Sequence, residues 1–493
     1  MTATIEATTA KDQRPVMDRP RASLLVGLML ALLAALPFAF AVHPQMDDYP
    51  SHLARYHVML AGEGHPFLSQ YYSFDWALRG NLGVDLLMVP MGRALGVETA
   101  AWLIALLLPV LVGLGIVAVA WTLRGRIGAG PLLAFTAIWS PSMAMGFANF
   151  SLSLALALLA FALWVRLDEK PWRGVLFVPI GLAVWLCHSA GWGVLGVLVF
   201  GYEAHRLRGW RALLAPWPLF PPFLMMLAEP AAGSGIDYGQ GVASYKLGIW
   251  VKALADTNVT LDILSVLVLA GAILIAARSR AIDGRIGWAA LLLALLTIAM
   301  PRHLGGGDLA DQRLVPIALM LGCLAIDAKV PRWLLCLAPA LFLIRLGATS
   351  AEWHEQSARL EAALPALDQV PQGARIAAAV PYDGFRWGNA PLDHAGSYST
   401  VYRDALVNTH FALPGVHMLQ VKGMGADYAD PSQRIAARPG EGIDLAAFGP
   451  ARQADYLWYV GDNPVTALPT GATVVYRTPG SLLARLAKPA DRR

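Results

Sequence analysis

The chain predicts a polytopic α-helical membrane protein, with about eleven transmembrane helices and a C-terminal extracytoplasmic α/β domain. Three observations lead there. Hydrophobic residues make up 56% of the 493-residue sequence and charged residues 15%, and the mean hydropathy is +0.51, a composition far from that of a soluble protein. Apolar runs recur at close to the roughly 20 residues needed to cross a bilayer. From residue 350 the runs shorten to strand length and are bounded by Pro, Gly and Asp.

The elements follow in order. Lys11, Arg14, Arg19 and Arg21 precede the first apolar run, so residues 1–21 form a cytoplasmic tail under the positive-inside rule. The run 22–42 exceeds the ~7–15 residues of a signal-peptide core, so Ala39-Phe40-Ala41 belongs to an uncleaved anchor. Further spans are expected at 98–121, 131–147, 149–166, 174–189, 190–205, 211–228, 258–277, 286–300, 313–327 and 332–349. This order places Arg124/Arg126, Arg166/Lys170/Arg173, Arg206/Arg208/Arg211, Arg278/Arg280/Arg285 and Lys329/Arg332 all on the inner side. Residues 82–96 carry Asp85 and Arg93 and are short for a crossing; counting them would turn every later basic loop outward. They predict an amphipathic helix at the outer interface, within an outer first loop spanning 43–97.

In residues 350–493, Ala374–Val380, Tyr456–Val460 and Thr473–Tyr476 read as strands of a domain large enough for its own core. Cys187, Cys323 and Cys336 all lie in or beside predicted spans, so no disulfide framework is implied. The net charge of +4 is accounted for by the inner loops and gives no indication of nucleic acid.

This topology gathers polar residues into one layer at the outer ends of the spans. It comprises Asp47, Asp48, His52 and Arg55 from the first loop, Asn149, His188, then Glu229, Asp237, Tyr238 and Lys246, and finally Arg302, His303, Asp308, Asp311 and Arg313. Ionisable groups at membrane depth are costly and usually functional. Pro50 suits a first helical turn and an acid before it suits an N-cap, so one acid serves as a cap or as a general base. The helix places His52, Arg55, Tyr56 and Met59 along one face. Asp47, Asp48 and His52 are also a candidate set for a divalent metal, at a spacing that is not diagnostic. Arg302, His303 and Arg313 flank Gly305-Gly306-Gly307 and fit a flexible phosphate-holding loop. His188 sits in a helix break, where bonding to a neighbouring carbonyl is the simpler role. No glycine-rich nucleotide loop is present.

Asp48-Tyr49-Pro50-Ser51-His52-Leu53-Ala54-Arg55 resembles the Asp-x-Pro-Asn-His-Leu-Ala-Arg segment of bacterial polytopic membrane proteins of the GT-C glycosyltransferase superfamily. Asp311-Gln312-Arg313-Leu314 resembles the Asp-x-Arg segment before a late span in such proteins. Ser51 departs from the usual Asn, and the extra acid Asp47 leaves the choice of base open, with Asp48 preferred by register.

The resemblance implies an inverting transferase in the bacterial inner membrane with its C-terminal domain extracytoplasmic (periplasmic). It would move a sugar from a polyprenyl-phosphate donor to a hydroxyl of a glycan, lipid or protein acceptor. On that basis Asp48 or Asp47 is the base, and His52, Arg55, His188, Arg302, His303, Asp308, Asp311 and Arg313 bind substrate or orient the base. Membrane lipids are the expected surroundings, and the outer domain would cap the site. Asp393-His394-Ala395-Gly396-Ser397-Tyr398 and Tyr402-Arg403-Asp404 are the candidate glycan contacts, against a simple surface loop and helix. The rival classes are a flippase for lipid-linked glycans, which predicts repeats and midplane charges, a non-catalytic scaffold of polysaccharide assembly, and a polymerase or ligase of O-antigen type.

Overall fold

Glycines and prolines set the boundaries around the first loop. A computed structural model describes residues 20–207, 209–228, 235–304, 307–414, 416–423, 426–429 and 435–487. Within it, Pro50 sits in the first turn of the helix Tyr49–Ala61, which ends at Gly62 with φ +72°. The helix Gly83–Leu95 ends at Gly96 with φ +81°, and the long helix Val97–Arg124 begins immediately after it.

The chain is mostly helical. Among the described residues four helices are long and apolar enough to cross a membrane: Val97–Arg124, Ala148–Arg166, Val259–Arg278 and Trp333–Gln369. Pro20–Leu33, Arg173–Cys187, Gly284–Ala299 and Leu314–Ala325 are apolar but shorter.

Three expected spans are not single helices. The first run stops as an α-helix at Leu33 and continues as a 3₁₀ turn over Leu36–Ala39, around Pro37. The run 131–147 divides into Ala129–Ala134, a 3₁₀ turn and Pro141–Ala144, because Pro141 lacks the amide a continuing helix requires. The run 211–228 divides at Pro216, Pro218 and Pro221 into Trp210–Leu214, Trp217–Leu219 and Pro221–Ala228. Hydropathy registers apolar length and is blind to these breaks.

The segment 332–349 also differs from expectation. It extends without interruption to Ala363, so the helix continues through residues 350–363, past the expected end of the span. That helix holds the end of the first run, since the Val42 amide donates to Ser357 Oγ at 3.1 Å.

The C-terminal region contains a five-stranded sheet in the order Thr473–Thr478, Ser481–Arg485, Tyr456–Val460, Arg375–Ala379, Leu406–Val407. The three strands read from sequence are all present, within two residues at each end. Arg375–Ala379 runs parallel to both neighbours, and Ser481–Arg485 antiparallel to both of its own.

Alternation along these strands divides the side chains between two cores. Ala377, Ala379, Leu457, Tyr459, Leu482 and Ala484 form a local cluster. Ile376, Ala378, Trp458, Val460 and Leu483 join the same buried cluster as Leu30, Phe38 and Trp139 of the helical region. One face of the sheet therefore closes a core of its own, while the other shares the core of the helices. The first loop strengthens the join: Tyr72–Phe74 pairs antiparallel with Leu419–Val421, and Tyr72 Oη donates to the Ala405 carbonyl at 3.3 Å.

A buried ion pair ties two of the long helices together. Arg345 bonds Asp262, and its other terminal nitrogen donates to the Leu254 carbonyl at 2.8 Å. Both side chains are only 2% exposed, so removing one partner would strand a charge. Arg345→Met should lower stability by about 3–5 kcal/mol, while Arg345→Met with Asp262→Leu should recover most of it. Unfolding followed by denaturant or heat in detergent measures both; a single variant as stable as wild type would show that the pair bears no load.

Candidate functional site

A cavity of about 1260 Å³ lies where the first loop, several helix ends and the C-terminal region meet. Asp47, Asp48, His52, Arg55, Asn149, His188, Arg302, His303, Asp308 and Arg313 all line it, together with Arg386, Trp387, Asp393, His394 and His417 from the C-terminal region. Of the sequence-predicted layer, Asp237, Tyr238, Lys246 and Asp311 do not line this space. The Asp311 carboxylate is fully buried and bonded to Lys246 and to Tyr245 Oη (3.1 Å), so it supports the lining from outside the cavity.

Asp48 occupies the N-cap position of Tyr49–Ala61, yet its side chain makes no capping bond. Its Oδ1 lies 3.8 Å from His394 Nε2. His394 Nδ1 is 2.7 Å from the Thr409 carbonyl, which can only accept, so Nδ1 carries a proton. A neutral His394 would then present a lone pair to a carboxylate.

Asp47 differs from its neighbour. Its Oδ1 is buried without a hydrogen-bond partner. Burial, with the nearby Asp393 charge, pushes its carboxyl well above the ordinary carboxylate range. Above that ordinary range Asp47 therefore remains protonated where a solvated acid would not.

His52 stacks on Tyr56 at 6.2 Å and faces Phe411 at 6.0 Å. Burial, and then Arg55, hold its imidazole far below the usual histidine range. His417, also against Phe411, is pushed down to about 4 by burial and by Arg55 and Arg79. Phe411 thus gathers His52, His394 and His417, and at least His52 and His417 are neutral.

Arg55 is already paired: Asp85 Oδ2 accepts from its terminal nitrogen at 3.1 Å, and Asn149 Nδ2 donates to the same oxygen at 3.3 Å. Arg302 likewise forms a two-point pair with Asp308, at 3.1 and 3.0 Å on the exposed rim. Neither has its charge available to a ligand in the way the sequence leads one to expect. Gly305 and Gly306 lie outside the described residues, as does Glu229. His303 lines the cavity from a strand whose backbone pairs with Asp237.

Arg313 and His188 make a different arrangement. His188 Nδ1 accepts the Ala190 amide at 3.0 Å, capping the helix Ser189–Arg206 instead of meeting a carbonyl. The neutral ring therefore carries its proton on Nε2. Arg313 Nη1 lies 3.1 Å from that Nε2, and a guanidinium has no acceptor. Two donors face each other in the cavity wall, where an oxygen of an anion could accept from both. Phe147 supports the guanidinium from below at 4.1 Å.

No protein-family model, curated protein or solved structure matches the chain. The site is therefore interpreted from its own geometry.

Among the described residues no set of three His, Cys, Asp or Glu side chains is arranged to hold a metal ion, so Asp47, Asp48 and His52 do not converge as ligands. Of the candidate glycan contacts, Asp393 and His394 line the cavity. Tyr402, Arg403 and Asp404 do not: they bond Glu98, Asp368 and His57 respectively. Sequence reasoning passed over Asp262 and Arg345, although both were legible as charges inside apolar runs. It also passed over Trp387, Lys252, Phe411 and His417, for which no local signal exists.

Two outcomes are expected. A carboxyl whose folded pKa is raised contributes stability below its unfolded pKa and loses it as pH rises through the folded value. Asp47→Asn should therefore flatten the fall in unfolding temperature from about pH 4 upward; a wild-type slope in the variant would show that Asp47 does not titrate there. Inorganic phosphate should raise the unfolding temperature of the wild type, and Arg313→Gln or His188→Ala should remove most of that rise. A phosphate response that survives both substitutions would place the anion elsewhere.

Proposed function

We propose that the chain is a GT-C-like inverting glycosyltransferase of a bacterial inner membrane, working at the outer face on a polyprenyl-phosphate sugar. The observation that carries this is the pairing, within one cavity, of a carboxylate next to a histidine (Asp48 and His394) with two convergent donors (His188 and Arg313). Such a reaction needs a base at one point and anion stabilisation at another. The described helices that suit a membrane, with the shorter apolar ones beside them, support the setting. The full set of about eleven crossings belongs to the same proposal.

In this scheme the acceptor hydroxyl gives its proton to Asp48, and its oxygen attacks the anomeric carbon. The bond from that carbon to the phosphate oxygen breaks, and its electron pair leaves with the polyprenyl phosphate. Arg313 and His188 Nε2–H stabilise the charge gathering on that phosphate; an oxygen lying beside the pair, within reach of both, would need little reorganisation of the donors. Single displacement inverts the anomeric centre. Asp48 is preferred to Asp47 as the base because a carboxyl kept protonated by burial cannot take up the proton. His394, held by the Thr409 carbonyl, orients Asp48 and supplies or receives the proton. Arg55 acts through position, since Asp85 offsets its charge.

The test uses purified full-length protein, a pool of polyprenyl-phosphate sugars, and release of polyprenyl phosphate as the readout. Wild type should release it, Asp48→Asn should lose about 10²–10⁴-fold in rate, and Asp47→Asn should keep most of it. Undiminished release by Asp48→Asn would remove it as the base, and no release from any donor by wild type would end the transferase proposal.

A further inference from the structure

We propose that the same cavity contains a second subsite, for a negatively charged saccharide, with Trp387 as its stacking face and Lys252 as its contact to the sugar's acidic group. Its role as the acceptor subsite rests on the transferase proposal; the binding itself does not.

The subsite's position follows from the sheet. Arg375–Ala379 and Tyr456–Val460 are parallel, and the residues directly after each, Val380–Asp383 and Val460–Asn463, line the cavity. The carboxyl ends of parallel strands are where open α/β sheets receive ligands. The helix Val242–Val251 turns Tyr245, Gly248 and Ile249 to the same space, at the spacing of one helical face, and Lys252 follows at its end. A Cβ at Gly248 would meet nothing within 4 Å, so this face looks onto open room.

Trp387 is held before any ligand arrives. Its Nε1–H donates to Asp262 Oδ2 at 2.8 Å, and Asp262 is itself fixed by Arg345. The next residue has to be glycine, since a Cβ at Gly388 would lie 1.7 Å from the Asp256 carbonyl oxygen. An indole locked at its nitrogen, half-buried and bordering a cavity, offers a flat apolar surface without losing rotamer freedom on binding.

The charge of the ligand follows from comparing the cations. Arg55, Lys246, Arg302 and Arg359 are each paired with a carboxylate. Among the described residues the Lys252 ammonium has no hydrogen bond or ion pair and stands over Trp387, 5.4 Å from the ring centroid; Arg386, which also lines the cavity, is in no ion pair with a described carboxylate and adds to the positive charge there. A pyranose laid on the indole would bring a carboxylate or phosphate substituent to that ammonium. The contact would be charge-assisted, and an uncharged sugar could not make it.

Equilibrium binding to the full-length protein in a detergent without a sugar headgroup tests this, with trigalacturonate and maltotriose as probes of equal length and opposite charge character. Wild type should bind trigalacturonate about tenfold more tightly than maltotriose, and Lys252→Gln should abolish that preference. Trp387→Ala should weaken both, and so should Gly248→Leu, whose side chain enters open room and so should fold. Equal affinity for the two probes, no binding of either, or undisturbed preference in Lys252→Gln would overturn the proposal. Displacement of both by uridine monophosphate would overturn it in favour of a nucleotide. The measurement needs no turnover, so a failed transfer assay and a failed binding assay remain separate results.

Discussion

One buried carboxylate holds the cavity floor together. Asp85 accepts from Arg55 of the first-loop helix and from Asn149 at the start of the helix Ala148–Arg166. Asn149 in turn accepts the Val84 amide at 2.6 Å and donates to the Asn81 carbonyl at 3.0 Å. Three segments far apart in sequence are thus fixed by one charge and one amide. Asp48 lies two turns before Arg55 on the same helix, so the position of the proposed base depends on this knot. A buried charge deprived of its partner costs about 3–5 kcal/mol, and no member can therefore be lost without disturbing the others.

With that floor fixed, the cavity separates its charges. Cations that serve structure are neutralised beside it, as Arg55 is by Asp85 and Lys246 by Asp311. Arg313 instead faces another donor, and Lys252 stands over an aromatic ring. Burial acts on the rest, leaving His52 and His417 neutral and Asp47 protonated. Asp48 and His394 are the pair to which the proposal gives the proton transfer. The shared core of sheet and helices makes this division rigid, since the sheet face that carries Ala378 and Trp458 packs into the helical cluster.

Much of the candidate site was legible because its residues carry charge where charge is costly. Asp47, Asp48, His52, His188 and Arg313 stood out for that reason, and all line the cavity. Their individual roles were less legible. Arg302 looks from sequence like a phosphate ligand but is satisfied by Asp308, and His188 caps a helix instead of bonding a carbonyl. Such outcomes depend on distances of a few ångströms between side chains, which spacing along a chain does not encode.

The sequence by itself determined the apolar character of the helices, the strands of the C-terminal region and the polar layer at the helix ends, since each follows from local composition and period. Proline breaks in the runs 131–147 and 211–228 were equally local and were outweighed by hydropathy. Only the tertiary structure decided that His394, Phe411, His417 and Trp387 line the cavity, because they lie on loops of the C-terminal region, which the pairing of Tyr72–Phe74 with Leu419–Val421 joins to the first loop. It also decided which cations are neutralised by carboxylates and which are not. Pairing of charges is settled by three-dimensional neighbours, and here those neighbours lie tens to hundreds of residues away.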